Sequence, residues 1–331
     1  MTVTLGPVAL SFPETSLAVT ELAELAELTP ARRAHALALG IDRVRCADSD
    51  DESEHAARAA AAALEQAGLD ASELDALLLV GGRAPKYLLA SDATRLQHRL
   101  GARNAFVAGV GELGCVSISA AFTMAAALLR GDEHCRNVLV VAGARTPTRA
   151  RYRAPMTVLG DGGGAVLLGK DGGRYELVDH LVRSDGRYAD LFRIDYRGGP
   201  DHDWVEECAD EATYSFRLAV ESRKRLAQMS ADVLGRNGNR LDGLDAVLMQ
   251  NLSVGAFGFW EEALEVRIDR ACHRNLADYG HLGSLDMLVN LESASATLVP
   301  GEHALLLNSS PVAAWSTSLL RRLPTRTERV G

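Results

Sequence analysis

Short, continuous apolar runs recur along this chain, each set off by turn residues, and they limit its fold more than any other feature. Residues 75–80, 105–110, 138–142, 164–168, 246–250 and 304–307 read as buried strands. Helical patterns separate them at 56–67, 92–100, 116–129, 212–234, 257–266 and 282–291. Gly68 and Gly101 directly follow two of these patterns, where a left-handed residue stops a helix. Strands alternating with helices predict βαβ units, an α/β fold and mostly parallel sheets. The 331 residues, 47% hydrophobic, suffice for a large core in two domains or one duplicated domain. The runs 139–142 and 305–308 hold comparable places in the two halves. The division is expected near Gly172-Gly173, giving halves 1–172 and 173–331, with a polar, frayed tail over 321–331.

The formal net charge of −9 argues against nucleic acid as the main partner. Cysteines 46, 115, 135, 208 and 272 form no CxxC motif, so neither a disulfide framework nor a zinc site is indicated. His134-Cys135 and Cys272-His273 are adjacent pairs without metal-ligand spacing. The first residues have no basic and apolar leader pattern, and no uninterrupted apolar run reaches the length of a membrane span. The expectation is a soluble, cytoplasmic protein with no metal and no redox cofactor.

Cys115 lies in Gly111-Glu112-Leu113-Gly114-Cys115-Val116-Ser117-Ile118, a Gly-Cys step that runs into a small-residue apolar helix. A thiol there sits near a helix N-terminus, where the dipole and unpaired N–H groups favour the thiolate. An isolated cysteine on such a helix is more often plain core. Leu159-Gly160-Asp161-Gly162-Gly163-Gly164 lacks the Lys-Ser/Thr of a phosphate loop and precedes a strand, so it reads as a structural turn.

Several motifs stand in order: Leu39-Gly40-Ile41-Asp42-Arg43-Val44-Arg45, the Cys115 step, the 138–144 run, the Gly160-Asp161-Gly162 turn, Met249-Gln250-Asn251, and Tyr279-Gly280-His281. Together they resemble the β-ketoacyl-ACP synthase III family across nearly the whole chain. The resemblance implies a thiolase fold of duplicated halves in five αβαβα layers, usually as a homodimer. It implies a cysteine nucleophile at Cys115. It also exposes two departures. The family's histidine position holds Gln250, and the family's asparagine after Tyr-Gly is His281. Those two positions stabilise the enolate in the family's decarboxylating condensation. A glutamine can hydrogen-bond but cannot act as acid or base, whereas His281 can.

Asp286 follows His281 by five residues and could turn back to it. Cys115, His281 and Asp286 would then form a nucleophile, base and orienter. Alternatively, His281 is satisfied by backbone and Asp286 is a surface or first-turn carboxylate. The substitution pattern resembles synthase III-like acyltransferases of antibiotic biosynthesis, such as those that transfer malonyl in cervimycin assembly or 6-methylsalicylyl in pactamycin assembly. These pass an acyl group from an acyl carrier protein or coenzyme A to a hydroxyl or amine. Gln250 and Asn251 would orient the carbonyl or acceptor, or are strand-end polar residues. Cys115 with Ser309 or Ser310 would supply the oxyanion donors. Arg145, Arg149, Arg151 and Arg153, beside Tyr152, would bind a pantetheine phosphate or a carrier-protein helix, or are loop and dimer-edge charges. Phe257, Phe259 and Trp260 either shape an acceptor cleft or belong to the core. The alternatives are a starter-unit condensing synthase and a non-catalytic partner subunit. The intact Cys115 argues against the second.

Overall fold

The structure is a computed structural model that describes residues 2–47, 53–81, 87, 89–195, 197, 199 and 204–324. Nine strands form its main sheet: β1 Thr4–Ser11, β2 Ala76–Val80, β3 Phe106–Val110, β4 Asn137–Ala144, β5 Gly162–Gly169, β6 Tyr175–Ser184, β7 Ala246–Met249, β8 His303–Ser310 and β9 Ala314–Arg322. Their spatial order is β7-β8-β9-β6-β1-β5-β4-β2-β3. Helices α1 Pro30–Leu37, α2 Ser53–Ala67, α3 Asp92–Leu100 and α4 Ser117–Gly131 belong to the first half of the chain. The second half contributes α5 Ala219–Arg236, α6 Val254–Leu264, α7 Arg270–Tyr279 and α8 Asp286–Ala294.

The sheet is mixed, which corrects the expectation of mostly parallel pairing. Only β4–β2, β2–β3 and β8–β7 run parallel. The pairs β1–β5, β5–β4, β6–β9, β9–β8 and β1–β6 are antiparallel. The connections explain this. A parallel neighbour needs a crossover of a dozen or more residues, but β8 reaches β9 through residues 311–313 alone.

The pairing also repeats. From β1 through β5, β4 and β2 the relation is antiparallel, antiparallel, parallel, and from β6 through β9, β8 and β7 it is the same. The runs at 139–142 and 305–308, in β4 and β8, therefore occupy equivalent places. The two groups of strands join edge to edge through Thr4↔Glu176 and Leu5↔Tyr175.

In the first group, side chains alternate between two covered faces, as a pleated strand requires. Leu77, Leu79, Leu139 and Val141 pack with Ala60 and Leu64 of α2 and Leu96 of α3. Leu78, Val80, Val138 and Val140 join the main core with Ile118, Phe122 and Leu129 of α4. Helices α4 and α8 lie inside the molecule: α4 packs on β2 and β4 and also on β6, while α8 packs on β7 and also on β1. Gly114–Gly131 is apolar and long enough by composition to span a bilayer, although Ser117, Ser119, Thr123 and Arg130 interrupt it. Here it is a core helix, and its apolarity matches that burial.

Strands β1, β6 and β9 and helices α1 and α7 carry no clear signal in the sequence pattern. In β9 the buried Ser316, Thr317 and Ser318 interrupt what would be an apolar run. The pattern at 212–234 divides into a π-helical turn, Thr213–Leu218, and α5. Arg321 and Arg322 are paired within β9 and are not frayed, and Leu323 N–H donates to the Arg174 carbonyl at 2.8 Å; residues 325–331 of the expected tail lie outside the described residues.

Candidate active site

Two glycine-led turns bring the site together. Gly114 has φ +56°, and a Cβ there would meet the Ser310 hydroxyl at 2.4 Å. This glycine opens the 3-10 turn Gly114–Val116, which carries Cys115 directly into α4. Gly280 has φ +65°, and its Cβ would lie 2.6 Å from the Val158 carbonyl oxygen. It passes the chain to His281, whose N–H donates to the Val158 carbonyl at 2.9 Å, while the His281 carbonyl accepts from Gly160 N–H at 3.1 Å. A side chain at Gly280 would press on the Val158 backbone, and one at Gly114 would be strained by the positive φ and would push the Ser310 hydroxyl aside.

Cys115 and His281 are 166 residues apart in sequence, yet Cys115 Sγ lies 3.3 Å from His281 Nε2. His281 Nδ1 lies 2.6 Å from Asp286 Oδ2. The three residues are 2%, 1% and 0% exposed. The sequence placed these three together, and the structure joins them in one line.

The tautomer follows from the carboxylate. Asp286 Oδ2 also accepts the Asn251 N–H at 2.9 Å, and Oδ1 accepts the Leu282 N–H at 2.8 Å. A buried carboxylate ringed by donors acts as an acceptor. His281 Nδ1 therefore carries a proton toward Asp286, and Nε2 faces the sulfur. Burial by itself pushes the His281 imidazole down. The Asp286 carboxylate, the Cys115 sulfur and the hydrogen bonds to both outweigh it and raise the pKa to about 10.

Residues absent from the sequence reading hold this line in place. The Ser284 hydroxyl donates to the Gly114 carbonyl at 3.0 Å and ties the two turns together. Asn308 Nδ2 donates to the Cys115 carbonyl at 2.8 Å. Tyr214, on the π-helical turn, is pushed up to about 12 by burial; Arg153 opposes that shift, and Cys208 and Cys115 add to it. Ser284 lies between His281 and Asp286, and Asn308 stands beside Ser309, but their partners are distant in sequence, so only the three-dimensional arrangement shows their roles.

Other expected site residues fall elsewhere. Gln250 Nε2 donates to the Ser309 hydroxyl at 2.9 Å, and Gln250 Oε1 accepts the Ser309 N–H. The Ser309 N–H is therefore engaged and is not an oxyanion donor. Ser310 packs against Gly114, and its hydroxyl accepts from Val312 N–H at 3.3 Å. Asn251 donates its backbone N–H to Asp286, and its Oδ1 accepts from Asn290 Nδ2 at 2.9 Å.

The arginine cluster is likewise drawn inward. Arg151 pairs with Asp161 at 2.8 Å and donates to Thr146 and the Leu159 carbonyl. Arg153 is buried against Glu206 and over the Phe192 ring. Internal carboxylates thus fix two of the charges expected to meet a phosphate, and Arg145 is half-buried at the surface. Asp161 also accepts the N–H groups of Thr146 and Ala47, as a structural turn requires. Phe257 and Trp260 are core residues, with only Phe259 partly exposed. Cys272 is fully buried, and its thiol is pushed up to about 12 by that burial. Among the described residues, no group of three or more His, Cys, Asp or Glu could hold a metal ion.

A family model described as 3-oxoacyl-[acyl-carrier-protein] synthase III matches residues 112–186, the stretch that begins at the Cys115 turn. Over this stretch the chain is similar to the synthase III family. The β-ketoacyl-[acyl-carrier-protein] synthase III of Cereibacter sphaeroides is 29% identical over 294 residues, covering 85% of this chain and 88% of that protein. Among solved structures, ChlB3, named as an acyltransferase, superposes with a TM-score of 0.85 at 20% identity, over 99% of this chain and 100% of its own. The 3-oxoacyl-[acyl-carrier-protein] synthase III of Aquifex aeolicus reaches 0.80 at 18% identity, over 96% and 99%. At these identities the structural likeness is one of fold. The α/β thiolase fold expected from the sequence is the fold the chain has.

Proposed function

We propose that this protein is an acyltransferase that works through an acyl-enzyme on Cys115. The observation that carries this reading is the buried line from Cys115 Sγ to His281 Nε2 and from His281 Nδ1 to Asp286. The Cys115 sulfur attacks the carbonyl of an acyl thioester. The C–S bond to the donor breaks, and the donor leaves as the thiol of a carrier-protein pantetheine or of coenzyme A. The proton on His281 Nε2 travels to that thiolate.

The second half-reaction follows from the charge balance. Once Cys115 is acylated, its sulfur is a neutral thioester, and one of the groups that raised His281 is gone. The imidazole, which has already passed its Nε2 proton to the leaving thiol, is then no longer driven to regain it and acts as a base. His281 takes the proton of an acceptor hydroxyl or amine, the acceptor attacks the thioester carbonyl, and Cys115 leaves. Asp286 holds the ring and balances the imidazolium. Residues 1–172 supply the nucleophile on this reading, and residues 173–331 supply the base and its carboxylate. The donor is an acyl carrier protein or coenzyme A thioester, and the acceptor is a small molecule of secondary metabolism, as in the cervimycin and pactamycin enzymes. The homodimer of the family and a cytoplasmic location belong to the same proposal.

Gln250 favours transfer over condensation. It is neutral and holds Ser309 with both ends of its amide, so it offers no second ionisable group for an enolate. The condensing alternative draws its support from the names of the curated relatives. A single-turnover assay tests the choice. Acyl thioester should load Cys115, and acceptor should then discharge it as an ester or amide. A β-ketoacyl product as the main outcome would mean condensation instead.

A further inference from the structure

The end of β7 is gripped by a chain of buried side-chain amides that reaches the catalytic carboxylate. Asn290 lies four residues after Asp286 on α8, one helical turn along the same face. Its Nδ2 donates to the Met249 carbonyl at 2.8 Å and to Asn251 Oδ1 at 2.9 Å. Both N–H groups thus bracket the residues that follow the strand. Asn290 Oδ1 in turn accepts from Asn275 Nδ2 of α7 at 2.8 Å. Asn275 also donates to the Val289 carbonyl at 3.3 Å and exchanges hydrogen bonds with Ser293 at 3.0 and 3.1 Å.

The direction of every bond in this chain is fixed. Asn275 donates to Asn290, and Asn290 donates to Asn251. The Asn251 N–H then donates to Asp286 Oδ2, the oxygen that faces His281 Nδ1. Asn290 and Asn251 are fully buried and Asn275 is 6% exposed, so water does not substitute for a missing partner. A helix core is a poor place for two asparagines unless their amides are used. Here both amides are used, and they lead in sequence to Asn251, whose N–H reaches Asp286 Oδ2.

We propose that Asn290 is a positioning residue for the His281–Asp286 pair: through Asn251 it sets where the backbone N–H meets Asp286 Oδ2, and so holds the carboxylate in line with the imidazole. The role extends to Asn275, which fixes the Asn290 amide so that its nitrogen faces the strand end. Neither residue touches reacting atoms. Their effect is on the geometry and charge state of His281, and it is the same whether the site performs transfer or condensation.

The test reads His281 itself. Asp286 and Cys115 are the charged or ionisable groups that face its ring. The protein, labelled with 15N-histidine, is titrated by NMR as wild type, Asn290→Leu and Asn251→Ala. Leu keeps most of the volume and removes both N–H donors. Ala removes the acceptor for Asn290 but keeps the backbone N–H to Asp286. If the amide chain positions the carboxylate, both variants lower the His281 midpoint by about one pH unit. That tenfold change is of the order of one lost hydrogen bond. Variants that fold, with His281 titrating as in wild type, overturn the proposal and leave Asn290 a packing residue. Should Asn290→Leu not fold, Asn251→Ala decides alone by the same criterion. Because no acceptor or donor is present in this titration, its result is independent of the acyltransferase reading.

Discussion

Gln250 holds Ser309 at two points, donating through Nε2 to its hydroxyl at 2.9 Å and accepting its N–H through Oε1. This reciprocal pair joins the ends of two parallel neighbours, β7 and β8. A malonyl thioester on Cys115 would meet His281, the base that faces the nucleophile, with neutral Gln250 where the resemblance expects a second histidine. Enzyme-bound malonyl should therefore keep its carboxylate. Release of radiolabelled CO2 from malonyl carrier protein or malonyl-coenzyme A should stay at the rate seen with Cys115→Ala. Release in step with β-ketoacyl formation would sink this prediction.

Cys115 should carry the acyl group. It is a buried sulfur held by a turn, with its carbonyl fixed by Asn308 and its side chain aligned on His281. Incubation with a cognate acyl thioester should add one acyl mass to the intact protein, and peptide mapping should place it on Cys115. Cys115→Ala should remain unmodified. An adduct on Cys46 or Cys208, the two less buried thiols, would point to a different nucleophile.

Which parts of this were legible in the sequence follows from distance along the chain. The Gly114-Cys115 turn and the Gly280-His281 turn are local, so residue type and order were enough to flag them. Asp286 was readable because it follows His281 by only five residues. Ser309 was misjudged because its partner, Gln250, is 59 residues away and meets it only when β7 pairs with β8. Arg151 and Arg153 were read as a surface cluster, since their carboxylates, Asp161 and Glu206, come from other segments. The strands followed the same rule. Continuous apolar runs gave β2, β4 and β8, while β6 and β9 mix buried serines, a threonine and a histidine with apolar residues and left no pattern.

Loading and discharge should respond differently to His281. Discharge needs a base for the acceptor proton, and loss of a general base lowers a rate by about 10²–10⁴-fold. His281→Ala should accept acyl on Cys115 and pass it on slowly by that factor. Asp286→Asn should show a milder defect in the same step, because the ring is still present but less well held. Rapid quenching followed by intact mass separates the two steps. A variant that loads slowly yet discharges at the normal rate would assign His281 to activation of the thiol.

The His281–Asp286 pair should also leave a mark on stability. The imidazole has an ordinary value of 6.5 and is raised to about 10 in the folded protein. A group whose folded pKa is raised contributes stability that is fully present below its unfolded value and is lost as pH rises through its folded value. The urea midpoint should therefore decline between about pH 6.5 and pH 10, by an amount on the order of a few kcal/mol in unfolding free energy. Asp286→Asn removes the carboxylate that opposes the effect of burial, so its folded value falls back and the decline over this window should shrink. Midpoints measured in parallel for the two proteins, from pH 6 to pH 10, check this. Superimposable slopes would mean that Asp286 does not hold the proton on His281, and the pair would then be joined by a neutral hydrogen bond alone.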